Sequence, residues 1–204
     1  MDQKDIDNRK IIVSDYRIPS TYWNTFIALE ADLERITRFI EFNEDNFQCY
    51  SIELTKIILA TCSEIDVIAK LLCEKIDPDF QNRKIKNITY YHEILSKKYP
   101  SIGEYGINLF RYGLEIFPWK DWNSDIGPVW WRSYNDLKHE RNNFFKTGNL
   151  ENALFSTSGL FVLVLLYYCE FQAMEPVPKL FFPPKKIASI SFSCGGPVLV
   201  WFNR

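Results

Sequence analysis

The densest polar run in the chain is Arg132-Ser133-Tyr134-Asn135-Asp136-Leu137-Lys138-His139-Glu140-Arg141. Residues three and four apart on a helix are neighbours, so Arg132, Asn135 or Asp136, and His139 fall on one face, which Asn142 or Asn143 continues. An imidazole titrates near neutrality and can take or give a proton. A guanidinium can hold a phosphate through two parallel hydrogen bonds and stabilise charge developing on it. An amide such as that of Asn135 can orient the imidazole or the substrate. This set suffices for metal-independent RNA cleavage, in which the ribose 2′-hydroxyl attacks the adjacent phosphate while one group accepts its proton and another protonates the leaving oxygen. By residue chemistry alone, the commoner alternative is a structural histidine bonded to Asp136, Glu140 or a neighbouring helix. Arg132, Lys138 and Arg141 are then the solvated side of an amphipathic helix.

A second set of charges, Glu64, Asp66 and Lys70, lies in a strongly apolar stretch. Asp66 and Lys70 form an acid-to-base pair four apart, worth only a few tenths of a kcal/mol in an isolated helix. Glu64 sits among Ile58, Ile65 and Ile68 and is expected to be partly buried. A buried carboxylate needs a partner, and Arg132, His139 or Arg141 could supply one; ordinary surface pairing is the alternative. His92, beside Tyr90, Tyr91 and Glu93, reads as a packing or surface residue, and Trp130-Trp131 as core.

The elements that must position these groups follow from hydrophobic spacing. Ser20 or Thr21 can cap a first helix carrying Phe26, Leu29, Leu33, Ile36, Phe39 and Ile40 at helical intervals. A second runs from about Tyr50 to Ile76 and is stopped by Asp77-Pro78-Asp79. A short third lies near Tyr90 to Lys98. From Gly103 to Trp122 the spacing predicts irregular structure with short strands, anchored by Trp119 and Trp122. Pro128 suits the first turn of a fourth helix, which carries the polar run on to Phe144 or Phe145. A fifth runs from about Leu150 to Gln172. Ile11-Ile12-Val13 could form an edge strand, and the Pro- and Gly-rich residues 176–204 a small β-element or a strap over the bundle. The expectation is a mainly α bundle of about five helices (1–175) with a small irregular or β C-terminal extension (176–204) packed on it.

Composition narrows the function classes. A net charge of −2 argues against a protein that grips nucleic acid over its whole surface, though not against a local basic cleft. The first residues lack the apolar run of a secretory signal. Five cysteines, Cys49, Cys62, Cys73, Cys169 and Cys194, form no CxxC and read as small buried hydrophobes in a reducing cytoplasm. With two histidines, His92 and His139, and no ligand spacing, neither a zinc site nor a cofactor is expected. The fully apolar part of Ala153 to Met174 is about half the length that spans a bilayer, so it reads as a helix of the core or of a dimer seam rather than a membrane span.

Two stretches, Cys62-Ser63-Glu64-Ile65-Asp66-Val67-Ile68-Ala69-Lys70 and Trp130 to Arg141 followed by Asn149-Leu150-Glu151-Asn152-Ala153-Leu154, together resemble HEPN-like bacterial proteins over roughly residues 25–172. The family's members are helical bundles of toxins, phage-defence systems and RNA-processing factors. Its ribonucleases carry an Arg, often followed by a polar residue, with a His a few residues beyond. Arg132 and His139 stand at the outer limit of that spacing. In the tighter register Asn135 and His139 match, but Tyr134 occupies the arginine position. The resemblance implies a cytoplasmic endoribonuclease acting on single-stranded RNA, usually a homodimer with two motifs across one cleft. An antitoxin or defence partner protein is implied as well. His139 would be the acid or base and Arg132 the phosphate ligand, with Asn135 orienting the site. Glu64, Asp66, Lys70 and Tyr134 would give support. That Arg141 adds charge from a turn further on is an inference from its position. The alternative is a non-catalytic module of the same fold binding RNA, a nucleotide or a protein.

Overall fold

The computed structural model describes residues 20–123, 126–170, 173–193 and 196–202. The element order is α1 (Thr21–Ile36), α2 (Ile52–Ile76), α3 (Ile88–Lys98), β1 (Ile107–Leu109), β2 (Leu114–Ile116), α4 (Val129–His139), α5 (Arg141–Phe144), α6 (Leu150–Tyr168), β3 (Ala173–Met174), β4 (Ala188–Ser193) and β5 (Gly196–Phe202). The protein is mainly α, a helical bundle with a small β extension, as its periodicity predicts. The proposed strand at Ile11–Val13 and Cys194 lie outside the described residues.

Side-chain caps set the starts of α2, α3 and α6. Ser51 Oγ accepts from the Leu54 N–H, Asn87 Oδ1 from Thr89 and Tyr90, and Asn149 Oδ1 from Asn152, each satisfying donors a helix start leaves unpaired. Ser20 precedes α1 without a side-chain cap. The first helix is shorter than its apolar spacing suggests: it closes at Ile36, leaving Phe39 82% exposed. Pro128 stands just before α4 rather than in its first turn.

The core is built around α6. All its residues but Glu151, Phe155 and Tyr167 are buried, packed against α2, α1 and α4. Leu150–Tyr168 is long and apolar enough to cross a membrane by length and composition, yet it is enclosed by its own chain. It therefore leaves little surface for the dimer seam considered above. Phe26 of α1 stacks on Phe161 of α6 with ring centroids 4.5 Å apart. Trp119, Trp122 and Trp130 are buried, and each indole N–H donates to a backbone carbonyl: Gly159, Ile88 and Pro118 respectively. Gly159 permits this approach, since a Cβ there would lie 3.2 Å from Trp130 Cζ2 and 3.4 Å from Trp119 Cζ2. Cys62 and Cys73 are buried as expected; Cys49 is exposed and Cys169 half-buried, because they sit outside the apolar faces of α2 and α6.

The hairpin β1–β2 pairs Ile107 with Ile116 and Leu109 with Leu114. The C-terminal sheet has the order β3-β5-β4, all antiparallel, and it begins at Ala173. Between β3 and β4 the chain runs as a strap across the bundle. Glu30 of α1 is buried and accepts the backbone N–H groups of Lys179 (3.0 Å), Leu180 (2.7 Å) and Phe181 (3.2 Å). Burial pushes the Glu30 carboxyl above its usual range, against the lowering by these three donors. Trp23 Nε1 donates to Pro176 O, Lys179 pairs with Glu34, and Phe182 bridges Asn108 of β1.

Candidate functional site

The polar run occupies α4, α5 and the turn after them. α4 buries Trp130, Trp131, Ser133, Tyr134 and Leu137 and turns Arg132, Asn135, Lys138 and His139 to solvent. The amphipathic spacing is thus real, and the imidazole of residue 139 is on the outside. The helix ends there. Glu140 adopts φ −135° and ψ 43°, and the short α5 restarts at Arg141. The expectation of one helix continuing to Phe144 is therefore corrected: the break at Glu140 gives Arg141 a separate element, so it does not extend the α4 stripe by a helical turn.

Arg132 and His139 lie on nearly the same line along α4, seven residues and two turns apart, or about 10 Å along the axis. Arg132, Ser133, Asn135 and Asp136, with Val129, line an open concavity of about 460 Å³; His139 is not part of it. Across residues 132–146 the cations Arg132, Lys138, Arg141 and Lys146 outnumber the anions Asp136 and Glu140, although the chain as a whole is net −2. Among the described residues none of these four cations is in an ion pair. Lys138 Nζ instead lies 5.5 Å from the Tyr134 ring centroid. Glu140 accepts from Asn143 Nδ2. Phe144 is partly exposed beside this basic face.

Tyr134, the residue in the motif's arginine position, is buried against Trp131, with ring centroids 5.1 Å apart. Its ring therefore belongs to the core and supports the Lys138 ammonium from beneath. The α2 charges are engaged elsewhere. Asp66 accepts from the buried Tyr91 hydroxyl of α3 (2.7 Å) and from Lys70. Burial and the Asp66 carboxylate push the Tyr91 hydroxyl far up from its ordinary range. Glu64 is half-buried, its carboxyl raised by burial, and its negative charge acts on Tyr22 of α1. Among the described residues no hydrogen bond or ion pair joins Glu64, Asp66 or Lys70 to Arg132, Asn135, His139 or Arg141. His92 packs edge-on against Trp122 at 5.3 Å; its Nδ1 is buried without a partner among the described residues, and burial lowers its pKa.

Two features escaped the sequence reading. One is Glu30, with its three backbone donors. The other is a cavity of about 720 Å³ between the β1–β2 hairpin and the C-terminal segment, lined in part by Asn108, Phe110, Glu115 and Phe182. The partners of each come from segments that are distant in sequence, so no local motif joins them. Among the described residues no group of three His, Cys, Asp or Glu side chains is placed to hold a metal ion. Compared with known proteins, the chain matches no family model, no curated protein and no solved structure.

Proposed function

We propose that the α4–α5 face is an RNA-binding surface and that the protein is a HEPN-like, metal-independent endoribonuclease of bacterial defence or toxin biology, working as a cytoplasmic homodimer. The observation that carries this reading is the set of exposed cations on α4, α5 and the turn after them, none of them in an ion pair among the described residues. Such a face attracts a phosphodiester backbone, and single-stranded RNA leaves its 2′-hydroxyls and bases accessible. His139 exchanges the proton at the 2′-hydroxyl or the leaving 5′-oxygen. Arg132 binds the non-bridging phosphate oxygens, Arg141 adds charge, and Asn135 orients the substrate. Two α4 helices running antiparallel about an axis beside Asn135 and Asp136 bring Arg132 of one copy next to His139 of the other. That arrangement removes the two-turn gap within one chain and gives two equivalent sites, each combining the imidazole of one copy with the guanidinium of the other. Glu64, Asp66, Lys70 and Tyr134 act at a distance, through the packing of α2 and α4. An antitoxin or defence partner would cover the same face.

A second reading, a non-catalytic RNA-, nucleotide- or protein-binding module, is favoured by two specific observations: Tyr134 replaces the motif arginine with a buried ring, and the concavity at Arg132 excludes His139. Purified protein incubated with labelled single-stranded RNA in EDTA separates the two. Cleavage is expected to persist in EDTA, to leave 2′,3′-cyclic phosphate ends, and to fall by about 10²–10⁴-fold in His139→Ala. Binding without cleavage across diverse RNAs selects the module. Cleavage abolished by EDTA yet intact in His139→Ala refutes the mechanism.

A further inference from the structure

The hairpin cavity is remote in sequence from the α4 face and draws on different residues. Its volume of about 720 Å³ falls within the 300–1,000 Å³ typical of small-molecule sites, and its lining is mainly apolar with a few polar groups, the usual composition of such sites. The hairpin contributes Gly106, Asn108, Phe110 and Glu115; Phe182 and Ile190 come from the C-terminal segment. The enclosure is held from both ends. The Asn108 N–H donates to Phe182 O and the Phe182 N–H to Asn108 O, while Lys186 pairs with Glu104 at 2.9 Å.

Three features select the ligand. Phe110 is 65% exposed although it borders a cavity, and it meets Phe182 edge-on at 4.8 Å, which leaves ring surface for a planar group to stack on. Glu104 is neutralised by Lys186, but Glu115 is in no ion pair among the described residues; its carboxylate receives only a long contact from Asn108 Nδ2 at 3.5 Å. Glu115 Oε1 also occupies the space that Gly106 leaves open, since a Cβ on Gly106 would lie 2.8 Å from it. An ionised carboxylate only accepts hydrogen bonds, so a ring stacked beside it must offer donors. Guanine alone among the common bases presents two adjacent N–H donors, N1–H and the N2 amino group, in the bidentate spacing a carboxylate accepts. Adenine and cytosine offer a single amino group next to an acceptor that the carboxylate repels. Lys185 also lines the cavity, while Lys186 is already engaged by Glu104.

We propose that this cavity is a guanine-binding site, with Phe110 stacking on the base and Glu115 reading its N1–H and N2–H edge. The guanine can belong to a free nucleotide or to a strand of RNA. Isothermal titration calorimetry of the full chain with GMP, AMP and CMP, and with short single-stranded RNAs with and without guanosine, tests it. GMP is expected to bind at least ten-fold more tightly than AMP or CMP. Glu115→Gln is expected to abolish that preference, and Phe110→Ala to weaken all three nucleotides alike, by roughly ten-fold. Both side chains are exposed, and circular dichroism verifies that the variants fold. If only guanosine-containing RNA binds, and does so in a Glu115-dependent manner, the base is taken from a strand; if GMP binds as well, a free nucleotide suffices. Absence of binding by any probe at millimolar concentration overturns the proposal, as does equal affinity for GMP and AMP unaffected by Glu115→Gln. His139→Ala is expected to leave GMP affinity unchanged, so failure here and failure of the nuclease reading are told apart.

Discussion

Removing the Glu30 carboxylate tests how the C-terminal strap is held. In Glu30→Ala the N–H groups of Leu180 and Phe181 lose their acceptor in a buried setting, while that of Lys179 is partly buried and can turn to water. Each buried orphan costs about 1–3 kcal/mol. Two therefore total about 2–6 kcal/mol, offset in part because the carboxylate no longer has to be ionised in a dry place, the penalty its raised pKa records. A net loss of about 3 kcal/mol is expected, which for a chain of this size is roughly 6–12 °C in Tm. Glu30→Gln keeps one oxygen, which can still serve Leu180 and Phe181, but turns an amide N–H₂ toward the Lys179 N–H; a loss of about 1–2 kcal/mol is expected. Urea unfolding followed by tryptophan fluorescence measures both, because Trp23 donates to the strap at Pro176. The midpoint should fall with the m-value unchanged. If Glu30→Ala unfolds within 0.5 kcal/mol of the parent, the carboxylate does not hold the strap and the reasoning fails.

Two further perturbations probe the core and the pH response. Gly159→Ala places a Cβ against two indoles that are buried and tied by their N–H groups, so the strain should outweigh the gain in helix propensity, with a net loss of about 1–2 kcal/mol in urea unfolding; a more stable variant would show that the indoles can give way. His92 has its folded pKa below the unfolded value of 6.5, so the unfolded chain binds the proton more readily; its contribution is full above about pH 6.5 and lost as pH falls below it. His92→Phe should flatten the fall in unfolding free energy between pH 7.5 and 5.5, and an unchanged slope would remove His92 as its source.

The helices were legible because their signals are local. The apolar stripe of α2 and the continuous apolar run of α6 mark their helices directly, whereas the cap expected at Ser20 makes no side-chain bond and the caps at Ser51, Asn87 and Asn149 are seen only in the structure. Trp119 and Trp122 were legible as anchors because an indole is expensive to leave in water. The end of α1 was not, because Phe39 and Ile40 continue the apolar spacing although the chain has already turned away. The break at Glu140 was also hidden, since no proline or glycine marks it. At the candidate site, the solvent-facing side of α4 followed from its periodicity, whereas the separation of His139 from the concavity depends on three-dimensional shape. In sequence Glu30 is one acid beside Leu29. Yet it lies between Phe26 and Leu33 at helical spacing, and that placement is the signal of a buried carboxylate awaiting donors.

The strap also bears on how the chain is made. The acceptor sits in the first helix, and its donors arrive roughly 150 residues later. During synthesis α1 can coil and begin to pack, but it carries a naked carboxylate on its inner side until that late segment has left the ribosome. Glu30 therefore gains its three donors only once residues 179–181 have been made and the strap has docked.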